Sequence, residues 1–331
     1  MIRFAVVGTN FVTERFLLEA GGNPLFRLVS VHSRDPRRAV AFAQAHGAER
    51  FCSDTDVLAA DDGVDAVYLA VPNSCHADLA VKFLSHGKAV LCEKPFASNV
   101  REAERMIRAA QTHGQLLMEA YMTRFLPVYE TLSQAIRDIG AIRSASVTFA
   151  KRSSRYDAYR RGEPVRTFSA QYANGAMMDL GVYAVHPYVD WFGMPQDVFA
   201  EGTIGPDGVD LSSDATLIYP GFSAEIHVSK TEDRPFFCEI RGEKGTILTD
   251  RISEPTFVKI CMPDGRTEDR TPPQPLPVMR YEADEFLALL QAGATSSKKL
   301  PLSCSWNAMA VLDAVRSRLG VRYPADEGGI L

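Results

Sequence analysis

The first third of this 331-residue chain alternates short apolar runs with amphipathic stretches, and that alternation restricts the fold more than any other feature. Residues 2–7 are apolar apart from Arg3, and residues 25–32, 64–71, 89–92 and 116–119 are further apolar runs. Between them, residues 10–20, 36–46, 74–85 and 99–113 read as helices. Strands apolar on both faces belong to a sheet covered on both sides, and strands separated by helices of about 10–15 residues pair in parallel. An α/β domain with a doubly wound parallel sheet is therefore expected over residues 1–121.

Beyond residue 121 the pattern changes. A helix is expected at 128–138, an alternating strand at 145–149, a polar and basic stretch at 151–166, and a helix at 176–192. Residues 198–260 read as strands at hairpin spacing, with turns at Gly205-Pro206, Pro220-Gly221 and 242–245, hence an antiparallel sheet. A Pro-rich loop at 272–277 precedes helices at 280–291 and 305–319. Residues 122–331 are expected to form an α+β domain, with the helix 305–319 packing back on the first domain.

Length agrees with two domains, and 46% hydrophobic residues supply a core without disulfides or a metal. A net charge of −5 with mixed signs argues against a nucleic-acid partner. No apolar run approaches the ~20 residues of a membrane span. Ile2 already begins a strand, so no leader is expected. The six cysteines form no CxxC, and no histidine lies at zinc-finger spacing, so no metal is expected. Dispersed cysteines read as reduced core thiols of a cytoplasmic protein.

The first strand runs into Gly8-Thr9-Asn10-Phe11-Val12-Thr13 and then a helix. The dinucleotide fingerprint of a Rossmann domain, G-x-G-x-x-G, sits at this place, where a tight turn and a helix N-terminus receive a pyrophosphate. Only its first glycine is kept, and Asn10 is expected to take the left-handed conformation of the second. By spelling alone, a plain strand-to-helix turn is the competing reading. Ligands of a doubly wound sheet lie beyond the carboxyl ends of the strands. Ser33, Arg34, Val71, Pro72 and Asn73 all fall there, with His76 close behind, either near a nicotinamide ribose or as a structural helix-start residue. After the second strand, His32-Ser33-Arg34-Asp35-Pro36-Arg37-Arg38 offers a hydroxyl and guanidinium groups, which suit a 2′-phosphate. NADP is expected, with Arg38 a further candidate contact. NAD becomes the alternative if Asp35 turns inward to a ribose hydroxyl.

Glu93-Lys94-Pro95 follows a late strand of the sheet. With Val71-Pro72-Asn73, His76, Leu91-Cys92, Glu119-Ala120 and the run from Gly175 through Asp179 to Tyr183, it gives a set in order along almost the whole chain. In these residues the chain resembles the glucose-fructose oxidoreductase / inositol 2-dehydrogenase / MocA-like (Gfo/Idh/MocA) family, although its glycine loop departs from the family consensus. The resemblance implies hydride transfer between NAD(P) and a hydroxyl-bearing carbon of a sugar, cyclitol or dihydrodiol. It also implies a second domain with an open, largely antiparallel sheet that supports a homo-oligomer, either dimer or tetramer.

Reduction of a carbonyl leaves an alkoxide, which needs a proton and a nearby positive charge. Lys94, on a turn fixed by Pro95, supplies the charge in this reading, and Glu93 braces it or touches the cofactor. Asp179 and Tyr183, four apart, share one helix face, with His186 and Asp190 further along it. The family pattern places the acid/base at Tyr183. A tyrosine needs help to ionise near neutrality, and an ammonium such as Lys94 gives it. Asp179 orients Tyr183 or binds a substrate hydroxyl. His186 is the second candidate for the proton, and Tyr183 and His186 as satisfied polar residues are the bland reading. Arg124, Arg155 and Tyr156 are candidate substrate contacts. A non-catalytic cofactor-binding sensor is the alternative function, with a hydrolase or lyase using the cofactor in a redox cycle behind it.

Overall fold

The computed structural model describes residues 1–327, so the last four residues of the expected second domain lie outside the described residues. Its first elements are β1 (Ile2–Val7), α1 (Phe11–Ala20), β2 (Phe26–His32), α2 (Pro36–His46), β3 (Arg50–Cys52) and α3 (Thr55–Ala59). Next come β4 (Ala66–Leu69), α4 (His76–Ser85), β5 (Ala89–Glu93), α5 (Val100–His113) and β6 (Leu117–Ala120). The six strands pair in parallel in the order β3-β2-β1-β4-β5-β6, the doubly wound order whose direction reverses between β1 and β4. The four residues of β4 and the first four of β5 are buried, as a sheet covered on both faces requires. Two elements have no counterpart in the sequence reading. β3 has three residues, two of them exposed, and α3 has five, so neither offers a hydrophobic period to read.

Two compact units divide the chain, and the segment 276–305 belongs with the first. Among the described residues, one compact unit holds Met1–Met122 and Leu276–Ser305, and the other holds Thr123–Pro275 and 306–327. The helix that joins the first unit is Val278–Gln291. Its Phe286 meets Phe4 edge-on at 5.8 Å, the amide of Met279 donates to Glu19 at 2.6 Å, and Asn23 donates to Asp284 at 2.6 Å. Phe4, Phe16 and Phe286 are almost fully buried. At about 1.5–3 kcal/mol per buried side chain, that aromatic group is a substantial part of what holds this helix to α1.

In the second unit α6 (Pro127–Asp138) leads to β7 (Ile142–Ala150), and α7 (Tyr156–Arg160) follows. A π-turn, Met177–Gly181, then opens α8 (Val182–Phe192). The remaining strands are β8 (Asp197–Ile204), β9 (Asp210–Tyr219), β10 (Phe222–Ser229), β11 (Phe237–Gly242), β12 (Thr246–Thr249), β13 (Lys259–Cys261) and β14 (Thr267–Asp269). They form one eight-stranded sheet in the order β14-β13-β12-β11-β7-β10-β9-β8. Ala224, Ile226 and Val228 of β10 and Ala145, Val147 and Phe149 of β7 are buried, while the intervening serines, threonines and charged residues are half-buried or exposed. The sheet is mostly antiparallel, as expected, but β7 pairs with β10 in parallel. Hairpin turns specify only neighbouring strands, and this central pair is non-local.

Within 151–166 the structure contains α7, where the sequence suggested only a polar stretch. Tyr159 stacks on Phe168 at 4.6 Å, and Tyr156 lies 5.9 Å from the same ring. Among the described residues no helix is long and apolar enough to cross a membrane.

Candidate active site

At the carboxyl end of β1, Gly8 adopts φ +109°, and a Cβ built there would lie 2.0 Å from the carbonyl oxygen of Ala70. Only glycine fits so close an approach of two strand ends. Gly8→Ala is expected to cost about 3 kcal/mol of stability, from left-handed strain and overlap together. Chemical denaturation checks this, and a loss within half a kcal/mol, about the scale of a neutral surface change, would contradict it.

Asn10 does not take the left-handed conformation expected of it. Its backbone is extended, φ −103° and ψ 177°, and its side chain caps α1 by accepting from the amides of Val12 at 2.9 Å and Thr13 at 3.1 Å. Its Nδ2 donates to the Ala70 carbonyl at 2.8 Å. Asn10 therefore serves as a helix cap and as a clamp between two loops, which a second glycine would not do. The amides of Thr9 and Asn10 have no acceptor among the described residues, and they precede the N-terminus of α1. Backbone donors at a helix N-terminus suit a pyrophosphate. The residues present fit the group that the fingerprint implies.

At the end of β2, Asp35 caps α2. Its carboxylate accepts from the amides of Arg37 at 2.9 Å and Arg38 at 3.4 Å, with Pro36 as the first helical residue. The Arg38 guanidinium donates to the Thr9 carbonyl at 2.8 Å, tying the end of β2 to the glycine turn. Arg34 and Arg38 are exposed and Ser33 is half-buried. Asp-Pro before a helix is a legible capping signal, and Asp35 is used in that way.

Beyond β4, Val71 and Pro72 lead to Asn73, which is buried. His76 is wholly buried, with Nδ1 3.0 Å from the Pro95 carbonyl and Nε2 3.1 Å from the Val71 carbonyl. Burial pushes its pKa down, which favours the neutral ring. A neutral ring donates through one nitrogen only, so it ties firmly to one of the two carbonyls. Of its two expected roles, this geometry fits the structural one: the ring spans the Val71 turn and the Lys94-Pro95 turn.

Lys94 and Glu93 are half-buried at the end of β5, and the Lys94–Pro95 peptide is cis. Phe96 and Ala97 behind them have no exposed surface, so the turn is anchored in the core. The Glu93 carboxylate accepts from Tyr68 at 2.5 Å and from the Lys94 amide at 3.2 Å. Tyr68 in turn stacks on Phe16 at 3.9 Å. Burial raises the pKa of Glu93 against these bonds. Glu282, buried on the Val278–Gln291 helix, is pushed well up, first by burial and then by the charge of Glu93.

In the second unit, the sequence 176–192 is not one uniform helix. The π-turn adds a residue to the spiral around Asp179, so the four-residue spacing to Tyr183 is not that of an ideal α-helix. Both side chains are nonetheless half-exposed, whereas His186 is only 4% exposed. The Tyr183 ring packs on Phe149 at 5.9 Å. Asp190 accepts from Tyr129 at 2.9 Å and pairs with Arg124 at 3.5 Å, and Arg124 also lies over the Tyr129 ring at 4.8 Å. Arg124 is thus engaged inside this unit. Arg155 is exposed at the start of α7, and Tyr156 lies under the Arg152 guanidinium at 5.3 Å.

Two residues were not singled out from the sequence. Asp210, wholly buried, accepts from the Met177 amide and from Ser213, each at 2.7 Å, and so pins the start of the π-turn. Gly175 is required beside it, since a Cβ would lie 2.1 Å from Asp210 Oδ1. Burial pushes the Asp210 pKa up, and its hydrogen bonds oppose this. Lys230, after β10, donates to Asp179 Oδ2 at 2.9 Å and to the Thr167 carbonyl at 2.8 Å. Neither stands in a motif: Met177 lies 33 positions from Asp210 and Asp179 lies 51 from Lys230, and only the fold brings them together.

Comparison with known proteins bears on this geometry. Residues 2–121 match the oxidoreductase family with an NAD-binding Rossmann fold, and residues 129–248 match the Gfo/Idh/MocA C-terminal domain. The chain is 43% identical over 327 residues to the scyllo-inositol 2-dehydrogenase (NADP(+)) IolU of Bacillus subtilis, covering 99% of this chain and 100% of that protein. The chain belongs to the Gfo/Idh/MocA family of oxidoreductases. The uncharacterized oxidoreductase YgjR of Escherichia coli is 36% identical, over 98% of this chain and 99% of that protein. Among solved structures, KijD10, a 3-ketoreductase from Actinomadura kijaniata in complex with TDP-benzene and NADP, superposes with a TM-score of 0.81 at 25% identity. That superposition covers 96% of this chain and 98% of KijD10. Membership of the Gfo/Idh/MocA family makes this chain an oxidoreductase with a nicotinamide-dinucleotide fold, and the resemblance seen in the sequence is upheld.

Proposed function

We propose that this chain is an NADP-dependent dehydrogenase acting on a secondary hydroxyl of a cyclitol or closely related polyhydroxylated ring. One observation carries the cofactor preference. Oδ1 of Asp35 is engaged by the α2 amides, which fixes this carboxylate as a helix cap and makes Ser33, Arg34 and Arg38 the groups proposed to meet a ribose 2′-substituent. A phosphate there finds guanidinium donors. The ring substrate follows the end-to-end likeness to a scyllo-inositol dehydrogenase.

The nicotinamide supplies or accepts a hydride when bound. The chain's own residues do the rest in this reading. Gly8, Thr9, Asn10, Phe11 and Val12 form the turn and helix start that receive the pyrophosphate. Val71, Pro72 and Asn73 line the strand end beside them, and His76 holds that turn against the one bearing Lys94. Lys94 places a positive charge on the alkoxide oxygen, with Glu93 fixing its backbone. Tyr183 gives or takes the hydroxyl proton, and Asp179 accepts from a neighbouring substrate hydroxyl. Arg155 and Tyr156 are proposed to contact the ring substrate. The protein is proposed to work in the cytoplasm, as a homo-oligomer.

Fluorescence titration with NADPH and NADH tests the reading, followed by turnover with inositols, aldoses and dihydrodiols. Tighter binding of NADPH and oxidation of an inositol are expected. Preference for NADH would overturn the role given to Ser33, Arg34 and Arg38. Binding without turnover of any of these alcohols would favour a cofactor-binding sensor.

A further inference from the structure

Lys230 is an unusual residue to find where it is. Its side chain is 4% exposed, whereas that of its partner Asp179 is 34% exposed. Lysine is among the residues least often fully buried, because an ammonium loses strong hydration when it enters the interior. This one is compensated on three sides. It donates to Asp179 at 2.9 Å and to the Thr167 carbonyl at 2.8 Å, and its charge lies 5.1 Å from the centre of the Phe168 ring. Its backbone is fixed as well, by its amide donating to Leu211 and its carbonyl accepting from Ser153.

Such a pair is a poor way to gain stability. Apolar residues of similar volume in place of both members often serve as well or better. What the pair does supply is a fixed carboxylate. Asp179 sits in a π-turn whose backbone is pinned by Asp210, and Lys230 holds its side chain from the buried side. Oδ2 of the carboxylate accepts from Lys230, while about a third of the side chain reaches the surface of this unit.

We propose that Lys230 is a positioning residue, which holds the Asp179 carboxylate in one orientation toward a hydroxyl of the ring substrate. The inference rests on the reading that Asp179 meets substrate, and the test separates the two. It compares Asp179→Asn, Lys230→Met, Lys230→Arg and the double variant Lys230→Met/Asp179→Asn, all as the full chain with NADP+ and scyllo-inositol.

Lys230→Met is expected to raise KM and lower kcat so that kcat/KM falls roughly 10–100-fold, the scale of a misplaced binding group. The Kd for NADPH is expected to hold, and Lys230→Arg to restore a good part of the loss. The double variant is expected to be no worse than Asp179→Asn alone, because Lys230 acts through Asp179. If Asp179→Asn is impaired while Lys230→Met matches the parent, the positioning role is overturned and the site reading stands. If Asp179→Asn itself matches the parent, the site reading fails and the inference falls with it. If Lys230→Met unfolds, Lys230→Arg decides: parental stability with reduced kcat/KM supports positioning, and a loss of stability with kcat/KM unchanged per folded molecule overturns it.

Discussion

Replacing Lys94 by Met is expected to lower kcat/KM roughly a hundred- to thousandfold while leaving NADPH binding within about twofold of the parent. The first figure is the scale on which an enzyme loses one preorganised stabiliser of a developing oxyanion, about 3–4 kcal/mol. Met keeps the length and apolar stem of lysine and removes only the charge. The turn itself is expected to survive, since Phe96 and Ala97 anchor it in the core and the Glu93 carboxylate is held by Tyr68 and by the backbone amide of residue 94 rather than by the lysine ammonium alone. Single-turnover kinetics beside a fluorescence titration separate the chemical step from cofactor binding. A variant that turns over normally removes Lys94 from the mechanism.

Tyr183→Phe carries the other large effect. Losing a positioned proton donor typically costs about 10²–10⁴-fold in the chemical step. The ring contact with Phe149 is retained in phenylalanine, so folding is expected to be unchanged. This variant also chooses between the two proton-shuttle candidates of the sequence. Tyr183 is half-exposed and His186 is 4% exposed, which favours the tyrosine. If His186→Asn loses far more kcat than Tyr183→Phe, with both variants folded, the assignment is reversed.

The sequence carried the parallel sheet because each of its major strands is a local run of apolar residues and each major helix has a local period. β1 and α2 coincide with their expected bounds for that reason. The family motifs were legible for the same reason, as short words in order. What was not legible depends on partners distant in the chain. The parallel pairing of β7 with β10 joins strands about eighty residues apart, a separation that no turn signal spans. The docking of the Val278–Gln291 helix on α1 depends on Phe286 meeting Phe4, and nothing near Phe286 specifies that contact. Lys230 stands in no motif, and only its contact with Asp179 distinguishes it. Asn10 was misjudged by analogy with glycine: its side chain, not its backbone freedom, is what the turn uses.

The central claim is hydride transfer between a nicotinamide and a ring carbon, and isotopic transfer tests it most directly. The chain would be given NADPH deuterated at the transferable position of the dihydronicotinamide, together with the ketone of an inositol. The expected result is a cyclitol carrying deuterium on the carbon that was the carbonyl, formed in step with loss of NADPH. Cofactor consumed with no label in the cyclitol, or no reaction with any cyclitol, sugar or diol ketone despite tight NADPH binding, would contradict the account.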